Sequence, residues 1–332
     1  MIKFSRSLIF ILIFSSVGLF AQEKNQVNWG LNPALKSSIN IGDTRSNLIA
    51  KKEVLVAVVD TGVDYQHSLI KNNLLENMGS KNASKYNYGR DFSKNSQNIL
   101  MPIDDHGHGT HIAGIIKSVH PEVKIISLKY YNKKASESDN LNSTIEALEY
   151  AITLGVDIIN YSSGGAGASL AELRVLKKAQ SKGILVVTAA GNWGTNIDNE
   201  NQHYYPASYK LKNTISVINH DINLKLNSTS NFGPLTTDIS APGTRIKSSL
   251  PKNRMGYLSG TSQATAFVSG VAAMLKSQFP FITPIQIKDI IIKSAQQVPK
   301  LKNICKAEGI LDAKSALSLA KKIYGRKIAA NE

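Results

Sequence analysis

A few polar side chains stand where buried runs of the chain end, and their types suit acid–base and nucleophilic chemistry. Asp60 closes the apolar run Val54–Val59 and opens Asp60-Thr61-Gly62-Val63-Asp64. Alone, such a triplet reads as a turn that caps a strand. A pair of carboxylates sharing one proton would need a second Asp-Thr-Gly or Asp-Ser-Gly, and the chain has none. His106-Gly107-His108-Gly109-Thr110-His111 gathers three of the seven histidines. Imidazoles bind metals, but this spacing fits no His-Glu-x-x-His pattern and has no cysteine companion, so one general base at a helix start is the better reading. Gly260-Thr261-Ser262 precedes a run of small and apolar residues. A serine at a helix start is an ordinary cap; within a site it also exposes its hydroxyl and aims a free N–H at developing negative charge. Asn192 follows Ala189-Ala190-Gly191 and offers a second donor of that kind.

The elements that must hold these residues follow from hydrophobic period. Val54–Val59, Val123–Leu128, Val156–Tyr161, Ile184–Ala189 and Thr214–Ile218 are short apolar, β-branched runs, which predict strands buried on both faces. Helical segments lie between them. Ser143-Thr144-Ile145-Glu146 predicts a capping box opening a helix that stops at Gly155, and Ser169-Leu170-Ala171-Glu172 opens one that stops at Gly183. Further helices are expected from about Ser262, from Pro284 and from about Asp312. Alternation of strand and helix means a parallel sheet covered on both faces. In such sheets ligands bind outside the carboxyl ends of the strands. Asp60-Thr61-Gly62, Ser162-Ser163-Gly164-Gly165 and Gly191-Asn192 occupy those ends.

Composition narrows the class. Apolar residues make up 42% and charged residues 19%, as in folded globular chains, which excludes a disordered or collagenous chain. The single cysteine, Cys305, excludes an internal disulfide framework and a multi-cysteine zinc cluster. A net charge of +15 invites a nucleic-acid reading, but no recognition motif accompanies it and the basic residues are scattered. No specific nucleic-acid partner is expected; an anionic cell surface stands as a candidate partner for the cationic face. Lys3 and Arg6, the apolar stretch Leu8–Phe20 and the small Ala21 describe a cleavable secretory signal over 1–21 and thus a secreted or periplasmic protein. The apolar stretch is shorter than the ~20 residues of a spanning helix.

The joint pattern resembles the subtilisin-like serine proteases, the subtilases. The resemblance rests on Asp60-Thr-Gly-Val-Asp64, His108-Gly-Thr-His-Ile-Ala-Gly114, Ile159-Asn-Tyr-Ser-Ser-Gly-Gly165, Thr188-Ala-Ala-Gly-Asn192, Tyr205-Pro-Ala-Ser-Tyr209, Ser240-Ala-Pro-Gly243 and Gly260-Thr-Ser262. It implies a three-layer α/β fold, a central and mostly parallel β-sheet flanked by helices on both faces, as one catalytic domain over 29–323. A basic tail, 324–332, would follow. The implied activity is peptide-bond hydrolysis through an acyl-enzyme on protein or peptide substrates. A non-catalytic peptide- or surface-binding protein on the same scaffold, and a transpeptidase with the same triad, are the alternatives.

By that resemblance Ser262 is the nucleophile, His108 the base and Asp60 its orienting carboxylate, with Asn192 and the Ser262 N–H binding the oxyanion. His106 and His111 are structural or support the site from behind. Ser162, Ser163 and Gly164 match the edge that pairs with substrate. Ala190 and Gly191 match a pocket wall, and Tyr204 lies at the pocket base, where its ring would favour small or medium P1 side chains. Tyr130-Tyr131 through Leu141 would line more distant subsites, and Tyr205-Pro206 is a candidate cis peptide.

The chain departs from the family at several places. Gln263 replaces a usual Met, Ala266-Phe267 replaces Pro-His, and Ser163 replaces a usual Leu. The link Lys117–Glu122 is too short for the calcium loop of bacterial subtilisins, so no cofactor or metal is expected and a calcium requirement is doubtful. Between the signal and Trp29-Gly30-Leu31 lie only Gln22 to about Asn28, which leaves no room for an inhibitory propeptide. The expected monomer then folds unaided or with a separate folding partner or inhibitor.

Overall fold

The computed structural model describes residues 28–44, 50–75, 88–96 and 98–329. The expected signal segment 1–21 lies outside the described residues, as do positions 22–27. In chain order the main elements are β1 (Leu55–Asp60), β2 (Gly89–Asp91), α1 (His108–Val119), β3 (Lys124–Lys129), α2 (Glu137–Leu154), β4 (Ile158–Tyr161), α3 (Leu170–Ser181) and β5 (Leu185–Ala189). They continue with β6 (Thr214–His220), β7 (Ile239–Pro242), β8 (Ile246–Leu250), β9 (Arg254–Leu258), α4 (Thr261–Gln278), α5 (Pro284–Lys293), β10 (Gln296–Gln297), β11 (Gly309–Ile310) and α6 (Ala313–Ala329).

Nine strands form one sheet in the order β10-β11-β7-β6-β5-β4-β1-β3-β2, and β8-β9 is a separate hairpin. All pairings in the large sheet are parallel except β10 with β11. β1 lies between β3 and β4, so the chain leaves it first to one side and then to the other. That reversal opens a crevice at its carboxyl end.

The strands are apolar throughout because both faces are covered. Val56 and Val58 of β1 pack with Ile112 and Ile116 of α1 and Val268 and Val271 of α4. Ala57 and Val59, on the opposite face, pack with Leu148 and Ala151 of α2 and Val175 and Leu176 of α3. The two-residue period of a strand thus divides one hexapeptide between two cores. α4 is buried along almost its whole length, so its small residues set how near its neighbours come. A Cβ on Gly270 would stand 2.5 Å from the Cβ of Val119 on α1.

The five expected strands form within a residue or two of their predicted bounds. α2 departs: it starts at Glu137, capped by the Ser136 hydroxyl accepting from the Asp139 N–H, and Ser143 is buried inside it. Ser136 satisfies an orphan N–H about two turns before the predicted box, and the helix is then free to propagate through Ser143. Its end at Gly155, left-handed at φ 67, is as expected. α3 is capped by Ser169, and Pro284 opens α5 behind a Thr283–Gln286 capping box. β2, β7 and the β8-β9 hairpin had no clear periodic signal; β8 holds Lys247, Ser248 and Ser249 between two apolar ends. α6 continues to Ala329, past the domain boundary expected at 323. Only residues 120–123 link α1 to β3.

Candidate active site

Asp60 is the last residue of β1 and is 3% exposed. Its Oδ1 accepts from the His108 ring Nδ1 at 2.7 Å and from the Thr61 N–H at 2.8 Å. Because an ionised carboxylate only accepts, Nδ1 carries the proton and Nε2 of the neutral ring keeps its lone pair. His108 is the first residue of α1. A Cβ on Gly109 would stand 2.2 Å from the Gly62 carbonyl oxygen and 3.2 Å from the Asp60 Cβ. Glycine there lets the helix start lie directly on the strand end.

A second buried carboxylate ties that helix start down. Asp104, 4% exposed, accepts at Oδ1 from the His106 N–H, the Gly107 N–H and the Thr61 hydroxyl at 3.0, 2.7 and 2.8 Å. Its Oδ2 accepts from the Thr110 N–H and hydroxyl at 2.9 and 2.6 Å. Thr61 Oγ1 in turn accepts from the Gly109 N–H at 2.9 Å. Asp104 and Thr61 therefore satisfy the Gly107, Gly109 and Thr110 N–H donors at the start of α1, which no N-cap side chain reaches, with the charge sign the helix dipole favours. Sequence reasoning passed over Asp104 and gave Thr61 no role of its own within Asp60-Thr61-Gly62. The signal for Asp104 was an acid four residues ahead of His108, just before the helix.

Burial alone would push the His108 imidazole down. The Asp60 charge and hydrogen bond outweigh that, Asp104 adds to them, and the pKa stands above the ordinary 6.5. His111 behaves oppositely. It is fully buried, with Nε2 against the carbonyl oxygens of Ile246 and Gly256 at 3.0 and 3.3 Å, and burial lowers it to about 3. It is a neutral strut between α1 and the β8-β9 hairpin. His106 is lowered by burial and by His108; its ring stands edge-on to His108 and to Tyr131, with centroids 6.4 and 5.7 Å away. Among the described residues no group of three or more His, Cys, Asp or Glu is arranged to hold a metal ion. Burial raises the Cys305 thiol to about 11, which keeps it protonated and poor as a nucleophile.

Ser262 is the second residue of α4, 7% exposed. Its hydroxyl donates to the Ser162 carbonyl oxygen at 2.9 Å, and no hydrogen bond joins it to His108. Contacts between a nucleophile and its base commonly form or tighten only when substrate arrives. A polar chain backs it. Ser269 Oγ donates to Asn160 Oδ1 at 2.9 Å, Asn160 Nδ2 donates to Ser162 Oγ at 2.8 Å, and Ser162 Oγ donates to the Ser262 carbonyl at 3.3 Å. Asn160 is wholly buried, and its amide serves β4 and α4 together.

Asn192 is oriented by Thr261, whose N–H and hydroxyl both donate to Oδ1, at 2.9 and 3.2 Å. That pairing fixes which end of the amide is oxygen and leaves the two N–H donors of Nδ2 free on an exposed side chain. The segment carrying Asn192 is clamped by buried Asn231. Its Nδ2 donates to the Ala190 carbonyl at 2.8 Å, its N–H to the Gly191 carbonyl at 2.9 Å, and its Oδ1 accepts from the Trp193 N–H at 2.9 Å. Thr261 and Asn231 were not singled out from sequence, because their work is to orient a neighbour.

The two walls expected from Ser162–Gly164 and Ala190–Gly191 meet over one ring. A Cβ on Gly164 would stand 2.7 Å from Tyr204 Cε1, and one on Gly191 would stand 2.8 Å from Cδ2 and Cε2 of the same ring. Gly165 and Tyr205 exchange backbone hydrogen bonds of 2.9 and 2.7 Å, and Tyr205-Pro206 is cis. Exposed Trp193, absent from the expected site, packs edge-on to Tyr204 with centroids 5.0 Å apart. Ser163 is half-buried between Ser162 and Gly164. Gln263, which follows Ser262, is buried with its Nε2 unpartnered.

The Asp60 charge opposes the effect of burial on His108, so the sign of its removal is fixed. An NMR titration of the imidazole should give a pKa above 6.5 in the wild type and below 6.5 in Asp60→Asn, where burial acts without the carboxylate. An unchanged value would mean that Asp60 does not set the charge state of His108.

A family model described as the subtilase family matches residues 51–312. Subtilisin DY of Bacillus licheniformis is 31% identical over 251 residues, covering 73% of this chain and 83% of the relative. The major intracellular serine protease of Bacillus subtilis (strain 168) is 34% identical over 236 residues, covering 68% of this chain and 69% of the relative. In architecture the chain resembles the crystal structure of the epidermin leader peptide processing serine protease of Staphylococcus aureus, with a TM-score of 0.73 at 21% identity, over 87% of this chain and 80% of that one. This chain belongs to the subtilase family and is a serine endopeptidase.

Proposed function

We propose that this protease cleaves its substrates through Ser262, with His108 as general base and Asp60 as its orienting partner, after export through the N-terminal signal segment. The observation that carries the reading is the 2.7 Å Asp60–His108 hydrogen bond at the same strand-end crevice where the first turn of α4 carries Ser262. His108 Nε2 takes the hydroxyl proton as Oγ attacks the substrate carbonyl. Negative charge then develops on the carbonyl oxygen, where Asn192 Nδ2 and the Ser262 N–H at the helix start can donate to it. The imidazolium, stabilised by Asp60, returns the proton to the leaving amine. Water repeats the sequence on the acyl-enzyme. No step calls on a metal or organic cofactor, and the short 120–123 link supports a protein without a calcium requirement.

A substrate strand would lie along Ser162–Gly164, with its P1 side chain between Ser162–Gly164 and Ala190–Gly191. Tyr204 packs against both glycines and Trp193 covers its edge, so the reading includes a shallow pocket for small or medium P1 residues. The net positive charge of the chain, +15 over the full sequence, favours an anionic cell surface over a specific nucleic acid, and the protein is taken to act as a monomer.

A fluorophosphonate probe should label the wild type and leave Ser262→Ala unlabelled. Absence of labelling in correctly folded wild type would favour a peptide-binding role on the same scaffold. On a peptide series varied at P1, Ala and Leu should be cleaved faster than Phe. Tyr204→Gly should raise kcat/KM for P1 Phe about tenfold or more, the range a pocket contact commands. Preference for Phe in the wild type would contradict the shallow pocket.

A further inference from the structure

A second polar recess lies at the opposite edge of the sheet. β6 begins at Thr214 and β7 at Ile239, and in a parallel sheet those starts face away from the ends that carry Asp60, Ser162 and Asn192. A cavity of about 120 Å³ opens there between the strand starts, α5 and two loops, room for several waters or one small ion.

Its wall is unusual in what it leaves unpaired. Thr214 and Ser216 are two apart on β6, so their side chains share a face, and Thr236 approaches from the segment before β7. These residues are 4%, 1% and 5% exposed; all three line the cavity, and their buried hydroxyls have no hydrogen-bond partner. A buried hydroxyl left unmatched costs about 1–3 kcal/mol, so a wall with three of them is built to meet something.

The charges say what. Asp238, also in the wall, is already satisfied at Oδ2 by the Lys288 ammonium at 2.8 Å and the Ser216 N–H at 2.9 Å, and Lys288 donates further to the Thr214 carbonyl at 2.6 Å. Lys210 and Lys306 stand at the exposed rim of the same cavity and form no ion pair among the described residues. Lys210 is held there in the left-handed region at φ 52, a conformation lysine seldom adopts. The one carboxylate is neutralised, two ammonium groups are not, and three hydroxyls can each turn a proton inward.

We propose that this cavity is a binding site for a small tetrahedral oxyanion, phosphate or sulfate, which ties α5, the Lys210 turn and the Lys306 loop to the start of the sheet. The bound anion would accept from the three hydroxyls and pair with Lys210 and Lys306. It stabilises the fold and takes no part in peptide cleavage.

The test is a thermal melt of the full chain carrying Ser262→Ala, so that self-cleavage cannot contribute. Inorganic phosphate, sulfate and chloride are compared as sodium salts at matched ionic strength. Phosphate should raise Tm by several degrees more than chloride and saturate with concentration; an equal gain with sulfate assigns the class, and a gain with phosphate alone assigns phosphate. The advantage over chloride should vanish in Lys210→Gln/Lys306→Gln, two exposed positions whose change leaves the core intact, and weaken about tenfold in Thr236→Val when phosphate binding is followed by calorimetry. Equal stabilisation by phosphate and chloride would overturn the proposal. So would a phosphate gain that survives in the double lysine variant.

Discussion

A carboxylate at the end of a fully buried parallel strand has few ways to exist. Asp60 is sealed from solvent, and an isolated charge in such a place would be too costly to keep. It is sustained by one N–H of its own turn and by the imidazole at the start of α1. The imidazole, nearly as enclosed, keeps its proton affinity above the ordinary value because the carboxylate is there. Each group makes the other's burial tolerable, and the rest of the site is arranged around that pair. Glycine at 109 lets the helix approach the strand. Asp104 and Thr61 bind the helix start to it, and the reversal of strand order at β1 leaves the crevice open for Ser262.

Around this pair, precision comes from polar side chains that touch no substrate. Thr261 turns the Asn192 amide by offering it two donors. Asn231 holds the segment on which Asn192 sits. Asn160 and Ser269 link β4 to α4 behind Ser262. These groups are enclosed, so their hydrogen bonds are stronger than in water and costly to break. Removing one leaves its partner stranded, which is why a change two contacts from Ser262 can disturb the position of its hydroxyl.

Much of this was legible in the chain. The strands were read from apolar runs because burial on both faces leaves no polar positions to confuse the pattern. Asp60, His108, Asn192 and Ser262 stood out as polar groups placed just where such runs end or helices begin. What stayed hidden has a common cause: Asp104, Thr261, Asn231 and Trp193 matter through contacts made across the fold, and nothing in their local spacing shows it. The start of α2 was misjudged because Ser136 and Ser143 are both plausible caps by composition, and only tertiary packing chooses the earlier. β8 escaped the reading because polar contacts hold it: its Ile246 carbonyl meets His111, and Ser248 and Ser249 donate to α1.

The basic excess, which first suggests nucleic acid, is ordered at one place by the fold: Lys288 closes on Asp238 while Lys210 and Lys306 remain uncommitted beside it. The central claim concerns the other edge, where the Ser262 hydroxyl leaves the Ser162 carbonyl and becomes covalently bonded to substrate. Rapid mixing with a slowly deacylated ester substrate, acid quench and peptide mass mapping tests it most directly. The account predicts a burst of one acyl group per chain, carried by the peptide that contains Ser262. Turnover without that adduct, or an acyl group on any other residue, would contradict it.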